Sequence, residues 1–391
     1  MAGKWRDTTL GEFLRLQRGH DLTEADRRPG LVPIMGSAGH NGFHDTAKAT
    51  GPGVVIGRSG VGSMGVVSYC ATDYWPHNTV LYVTDFLGND ERFAYYFLHH
   101  LNLRRFDSGS AQASLNRNYI YPIRIRVPHP VEQRAIAHIL GTLDDKIELN
   151  RQMNETLEAM ARALFKSWFV DFEPVRAKAE GRDPRLPKPL ADLFPDSFAD
   201  SEVGQIPKSW GLRQLGDLLE LAYGKALKAE DRHGGDVPVY GSNGRVGWHD
   251  ERLAAGPGIV VGRKGNPGVA TWAPTDFFVI DTAFYVVAKP VCGSAHFLFH
   301  VLQTHDLASL GADSAVPGLN RNLAYMSSQV LPPQRLLDKF DSYTSSLAAR
   351  VQDCSEESRT LAALRDALLP KLVSGELRVK DPERFMRRVT P

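Results

Sequence analysis

Two stretches carry residue types whose spacing could do chemistry. Gly60-Val61-Gly62-Ser63-Met64-Gly65 spells GxGxxG after a short β-branched run, the pattern that cradles a dinucleotide pyrophosphate. Its context is wrong for that task. The fingerprint must open a helix, whereas Val66-Val67-Ser68-Tyr69 reads as a strand, and a related stretch downstream shortens to Gly265-Asn266-Pro267-Gly268. His40 and His44 stand four apart, but on a turn-rich segment with no third ligand, so no metal site is expected. The chain has no GxxxxGK[ST], HExxH or GxSxG, and no Asn or Asp precedes the Pro-Pro-aromatic run that holds a flipped base's amino group. No catalytic residue is assigned.

Self-comparison is more informative than motif matching. Trp5, Leu10, Gly11 and Gly19 return 205 positions later as Trp210, Leu215, Gly216 and Gly224. GSAGHNGFHD at 36–45 returns without a gap as GSNGRVGWHD at 241–250, GPGVVIGR at 51–58 as GPGIVVGR at 256–263, and LNRN at 115–118 as LNRN at 319–322. The chain is therefore one unit of about 200 residues written twice.

Positions identical in both copies hold the fold or make shared contacts, while polar positions that differ are where two modules could read different things. In the first loop Ala38, His40 and Asn41 face Asn243, Arg245 and Val246, flanked by the constant Ser37 and His44 against Ser242 and His249. Asn and Arg make bidentate contacts with adenine and guanine edges. Arg58-Ser59 pairs with Arg263-Lys264, where the shared arginine suits a phosphate and the varied neighbour a base. Asn116-Arg117 and Asn320-Arg321 are unchanged between copies, which favours backbone contact or loop bracing. Leaving aside Ala38 and Val246, these sixteen residues form the candidate contact set, with ordinary solvated turn residues as the competing reading.

Each copy must position its loops on short β-branched runs, Val54–Ile56, Gly65–Tyr69 and Val80–Val83 in the first, with one amphipathic helix around Phe93–Leu101, matched by Phe297–Gln303. The expected class is α+β: two homologous mixed α/β domains separated by two long antiparallel coiled-coil helices in a pseudo-twofold internal repeat. The first helix is read from Ile136, Leu140, Leu143, Ile147, Leu157, Leu164 and Trp168, with Met153 and Met160 beside that line. It spans about 131–169, roughly 58 Å at 1.5 Å per residue. The second is read from Leu336, Phe340, Leu347, Val351, Leu361, Leu364, Leu368 and Leu372. Between Ile147 and Val351 and the next apolar layer the seam turns polar or small: Asn150 and Asn154 in one copy, Cys354 and Ser358 in the other. Such a layer sets register or docks a partner, unless it rotates out to solvent. The expected divisions are 1–130, a helix at 131–170, an extended proline-rich connector at 171–205, a second domain at 206–331, a helix at 332–375 and a frayed tail at 376–391.

At 391 residues with 42% hydrophobic content, the chain has room for two or three domains. No apolar run is long enough for a membrane span, and residues 1–19 are too polar for a signal peptide. Scattered Cys70, Cys292 and Cys354 point to a reducing, cytoplasmic setting without structural zinc. A balance of 46 basic against 45 acidic residues neither advertises nor excludes a nucleic-acid partner, because phosphate contacts need local charge.

The central and closing segments resemble the specificity (S) subunit of type I restriction-modification enzymes. The residues that carry this are ALFKSWFVDF at 163–172, EPVRAK at 173–178, LFPDSF at 193–198, GQIPKSW at 204–210 and LPKLVSGEL at 369–377. The resemblance implies a non-catalytic subunit with two target-recognition domains, each reading half of a split, asymmetric double-stranded DNA site, and a helical pair as ruler. It further implies two methyltransferase subunits that methylate adenine with S-adenosylmethionine, and two restriction-translocase subunits that use ATP and Mg2+. This chain itself would hold no cofactor. One departure is Val316, which stands where the first copy has Gln112 within a stretch common in that family. The rival reading is a two-headed protein-interaction scaffold with a helical spacer; a nuclease within the modules ranks third.

Overall fold

The structure, a computed structural model, describes residues 5–107, 114–310 and 318–389. Gln112 and Val316 lie outside the described residues. The chain forms two units: Met1–Leu149 with Glu357–Pro391, and Asn150–Glu356.

The first unit is built on a four-stranded antiparallel sheet in the order Arg15–Arg18, Val80–Asp85, Gly53–Gly57, Val67–Cys70. Val54, Val55 and Ile56 are all buried, so this interior strand is covered on both faces, as a continuous β-branched run requires. On one face Val54 and Ile56 meet Phe93, Ala94 and Phe97 of the helix Glu91–His100. That helix starts where Asp90 accepts a hydrogen bond from the Phe93 amide, a side-chain N-cap. On the other face Val55 packs with Tyr74 and Tyr82. Gly53 must lack a side chain because a Cβ there would strike the Tyr74 ring; Gly258 sits under Phe277 in the same way. A second sheet orders Gly39–His44, Val32–Gly36 and Trp75–Pro76, and a two-stranded ribbon joins Arg6–Thr9 to Arg124–Val127.

The second unit repeats this order strand for strand. Its sheet runs Leu219–Tyr223, Ala283–Ala288, Gly258–Gly262, Ala270–Ala273, with Gly244–His249, Val237–Gly241 and Phe278–Val279 beside it. The ribbon is Gly211–Gln214 with Ser328–Leu331. Its helix, Ala295–Thr304, is capped by Ser294.

The long helices are Pro130–Phe165 and Gln334–Ser374. The first contributes 130–149 to the first unit and the remainder to the second. In the first unit Ile136 and Leu140 share a core with Leu369, Leu372 and Val373. Glu132 takes a bidentate pair of bonds from Arg378 at 2.6 and 2.7 Å, Asp144 one from Arg365 at 2.7 Å, and Lys146 meets Glu357 at 3.0 Å. Rising numbers on one side meet falling numbers on the other, so the segments run antiparallel. In the second unit Phe165 and Trp168 meet Phe340. A π-helical turn, Lys166–Val170, ends the first helix and turns Trp168 and Phe169 into the core. The polar layer does not rotate out: Asn150 is 2% exposed and donates to the Cys354 carbonyl at 3.3 Å, and Asn154 donates to Ser355 Oγ at 3.1 Å. Ile147, Val351 and Ser358 are half-buried.

Three expectations are corrected. Segment 171–205 is no extended connector: it forms the helices Glu173–Ala179 and Lys188–Ala191 and one arm of the hairpin Phe198–Ser201/Gly204–Pro207, and Phe172, Val175, Leu190 and Phe194 join the second core. Pro174 and Pro189 lie in the first turns of the two helices, where a missing N–H is tolerated. The tail is not frayed, because Arg378 pairs with buried Glu132, Val379 is buried, and Phe385 and Met386 of the helix Pro382–Val389 pack on the first core. Leu364 leaves the seam at 47% exposure together with its counterpart Met160, because 3.6 residues per turn drift off a 3.5 repeat.

Candidate nucleic-acid interface

In each unit the candidate residues are carried by a hairpin tip, by the chain leaving the central strand, and by the LNRN turn. In the second unit Asn243 Oδ1 accepts from Asn266 Nδ2 at 2.8 Å, joining the hairpin tip to the loop that follows Arg263-Lys264. Ser242 lies against the same loop at Gly262 and Gly265. Arg263 donates to the Asp281 carbonyl at 3.1 Å, and its guanidinium lies 4.9 Å from the centroid of Tyr223. Arg321, from the LNRN turn, donates to the Leu221 carbonyl at 3.2 Å and covers the same ring at 4.8 Å. Two arginines thus flank a tyrosine that is 50% exposed, each fixed through one nitrogen. An exposed cation on an aromatic face gains about 0.5–1 kcal/mol, enough to narrow its rotamers.

The first unit has the same frame with different furniture. Ser37 approaches Gly57 and Gly60, and Ser63 Oγ donates to the Ser59 carbonyl at 3.1 Å. The Arg58 backbone bonds to Thr79 and Leu115. Arg117 donates to the Leu16 carbonyl at 2.8 Å, the counterpart of the Arg321 bond, but Arg18 occupies the place of Tyr223. The GxGxxG stretch is a turn leading into the strand Val67–Cys70, with Arg104 donating to the Gly62 carbonyl.

Asn116 and Asn320 serve as N-caps, accepting from Asn118 and Asn322 amides at 3.0 Å. Nearby, the Tyr121 and Tyr325 hydroxyls accept from Leu16 and Leu221 amides at 2.8 Å. The unchanged turn is therefore a brace between strand and turn. His44 and His249 are buried at 3% and 8% exposure, edge-on to Trp75 and Phe278, and His44 Nδ1 accepts from the Arg28 amide at 3.1 Å. Burial removes these two from any exposed contact set.

His40, Asn41 and Arg245 are exposed on the outer hairpin strands. His40 lies 4.6 Å, edge-on, from Phe43, and the Arg245 guanidinium 4.8 Å over Trp248. Phe43, Trp248 and Tyr223 escaped the sequence reading, which followed polar side chains. The available signal was an aromatic at both 43 and 248 in a gap-free repeat. Among the described residues no group of three or more His, Cys, Asp or Glu side chains could hold a metal ion, and no helix is long and apolar enough to cross a membrane.

Residues 3–159 match the model of the type I restriction modification DNA specificity domain. The chain is 25% identical over 309 residues to the type I restriction enzyme MjaIX specificity subunit of Methanocaldococcus jannaschii, covering 71% of this chain and 66% of that one. It is 26% identical over 322 residues to the HindI specificity subunit of Haemophilus influenzae, covering 65% and 69%. The match thus spans about two thirds of those relatives. The crystal structure of a type I restriction-modification S subunit from M. genitalium shares the fold, with a TM-score of 0.64 at 19% identity over 95% of this chain and 96% of that one. The shared fold is of mixed α+β class. In sequence the chain is similar to type I restriction-modification specificity subunits, and in its first 159 residues to their DNA specificity domain.

Proposed function

We propose that this chain supplies the DNA sequence specificity of a type I restriction-modification complex and performs no catalysis itself. Each unit reads one half of a split double-stranded site through its hairpin and strand-end loops, and the helical pair sets the unread gap as a pseudo-twofold spacer. Two methyltransferase subunits dock on the helices and methylate adenine with S-adenosylmethionine. Two restriction-translocase subunits add ATP- and Mg2+-dependent cleavage, all in the cytoplasm. The observation that carries this reading is the duplicated loop frame, which keeps its braces constant while its outward residues differ: His40 against Arg245, Ser59 against Lys264, Ala38 against Asn243.

A net charge of +1 makes the lone subunit a weak, salt-sensitive binder, tightened when methyltransferase subunits close around the duplex. Titrating a methylated-site duplex with the chain alone and with the co-purified methyltransferase should give clearly tighter binding for the complex. Equal affinities, or retention of proteins but not duplex DNA, would favour the scaffold reading instead.

A further inference from the structure

The outer strand of each small hairpin carries one extra residue. In the second unit Tyr240 faces Arg245 and Val239 faces Gly247, so Val246 is unpaired; in the first, Met35 faces His40 and Pro33 faces Phe43 across the same kind of irregularity. Without it, residues three apart would point to opposite sides of the strand. With it, Arg245 and Trp248 share a face, as do His40 and Phe43, and each pair is in ring contact. The offset is held in place. Arg232 donates to the Val246 carbonyl at 2.7 Å, its counterpart Arg27 lies beside Gly42, and Gly42 has the positive φ of 84° that such a step requires.

The aromatic partner does not cover its neighbour. Phe43 is 53% exposed and Arg245 is exposed, and among the described residues no hydrogen bond or ion pair takes up the Arg245 donors. The Arg245 guanidinium, 4.8 Å from the Trp248 ring centroid, keeps an N–H edge open to an outside acceptor. That edge matches the two acceptors that guanine presents in the major groove.

We infer that the bulged strand of each unit is its base-reading element, with Trp248 positioning Arg245 on a guanine of the second half-site and Phe43 positioning His40 in the first. The inference rests on the DNA-reading function proposed above. It assigns a positioning role to two aromatics and divides labour with Tyr223, whose flanking Arg263 and Arg321 are already anchored to backbone and suit phosphates.

The test is selection of a random duplex library by the full chain co-purified with its methyltransferase, comparing wild type with Arg245→Ala, Trp248→Ala, Trp248→Leu and Trp248→Phe. Arg245→Ala should lose roughly tenfold discrimination for guanine at one position of the second half-site and leave the first half-site unchanged. Trp248→Ala and Trp248→Leu should relax that same position, whereas Trp248→Phe restores it; the leucine variant keeps apolar bulk and separates loss of the ring from loss of folding. Selection unchanged in Trp248→Leu, or weakened evenly at all positions, overturns the positioning role while the split-site function stands. A wild-type complex that selects no split sequence overturns both.

Discussion

Arg263 shows how geometry decides a residue's task. One of its nitrogens is committed to the Asp281 carbonyl and its guanidinium lies 4.9 Å from the Tyr223 ring centroid, so it is held as a fixed cation rather than a searching one. Such a group suits a phosphate, whose position does not depend on sequence. Arg263→Ala should weaken binding to all duplexes alike and reduce the slope of log affinity against log salt by about one. Binding titrations at several salt concentrations check this, and a change confined to one sequence would contradict it. The type and placement of Arg263 were legible in the sequence because the repeat kept it. The partner ring was not, because the first copy has Arg18 at that place and the comparison showed no shared aromatic.

At the scale of elements, the two helices that cover the sheets have diverged in charge. In the first unit Arg92 bonds Asp145 at 2.9 Å; the counterpart His296 instead stacks on Trp272 at 4.4 Å. Burial pushes both His296 and His300 down to about 4. Unfolded histidines take up protons near 6.5 but the folded pair only near about 4, so the unfolded state holds more protons in that window. Stability of the second unit should therefore fall as pH drops from 6.5 toward 4, by up to about 1.4 kcal/mol per pH unit for each histidine. Thermal melts at pH 7.5 and 5 read the drop, and His300→Phe, which packs beside Phe165, Phe299 and Phe340, should halve it.

The helix seam gives a second test at this scale. Asn154 donates to Ser355 Oγ of the facing helix at 3.1 Å, while its own side-chain oxygen is buried without a hydrogen-bond partner among the described residues, a desolvation the single bond does not offset. Asn154→Leu should raise the second unit's stability by about 1 kcal/mol while loosening register. A urea midpoint that falls instead would assign the bond a larger worth.

At the scale of the whole molecule, the first unit is assembled from both ends of the chain. Leu369, Leu372, Val373 and Val379 belong to the same core as Val54 and Phe93. Truncation after residue 356 should strip protection from amide exchange across the strand Gly53–Gly57 and leave that of Gly258–Gly262 in the second unit. Equal protection in both strands would show that residues 1–149 fold without the returning helix.

The sequence by itself determined the duplication, the α+β class, the two long helices and which polar positions vary, because each is written in local periodicity or in comparison of one copy with the other. Only the tertiary structure decided that His44 and His249 face inward, that 171–205 packs as core and that the tail docks. Those outcomes depend on which apolar surface a distant segment finds to cover. It also placed Arg245 on Trp248: one unpaired residue reverses the side of the strand, and no local pattern records a bulge whose cause lies in the partner strand and in Arg232.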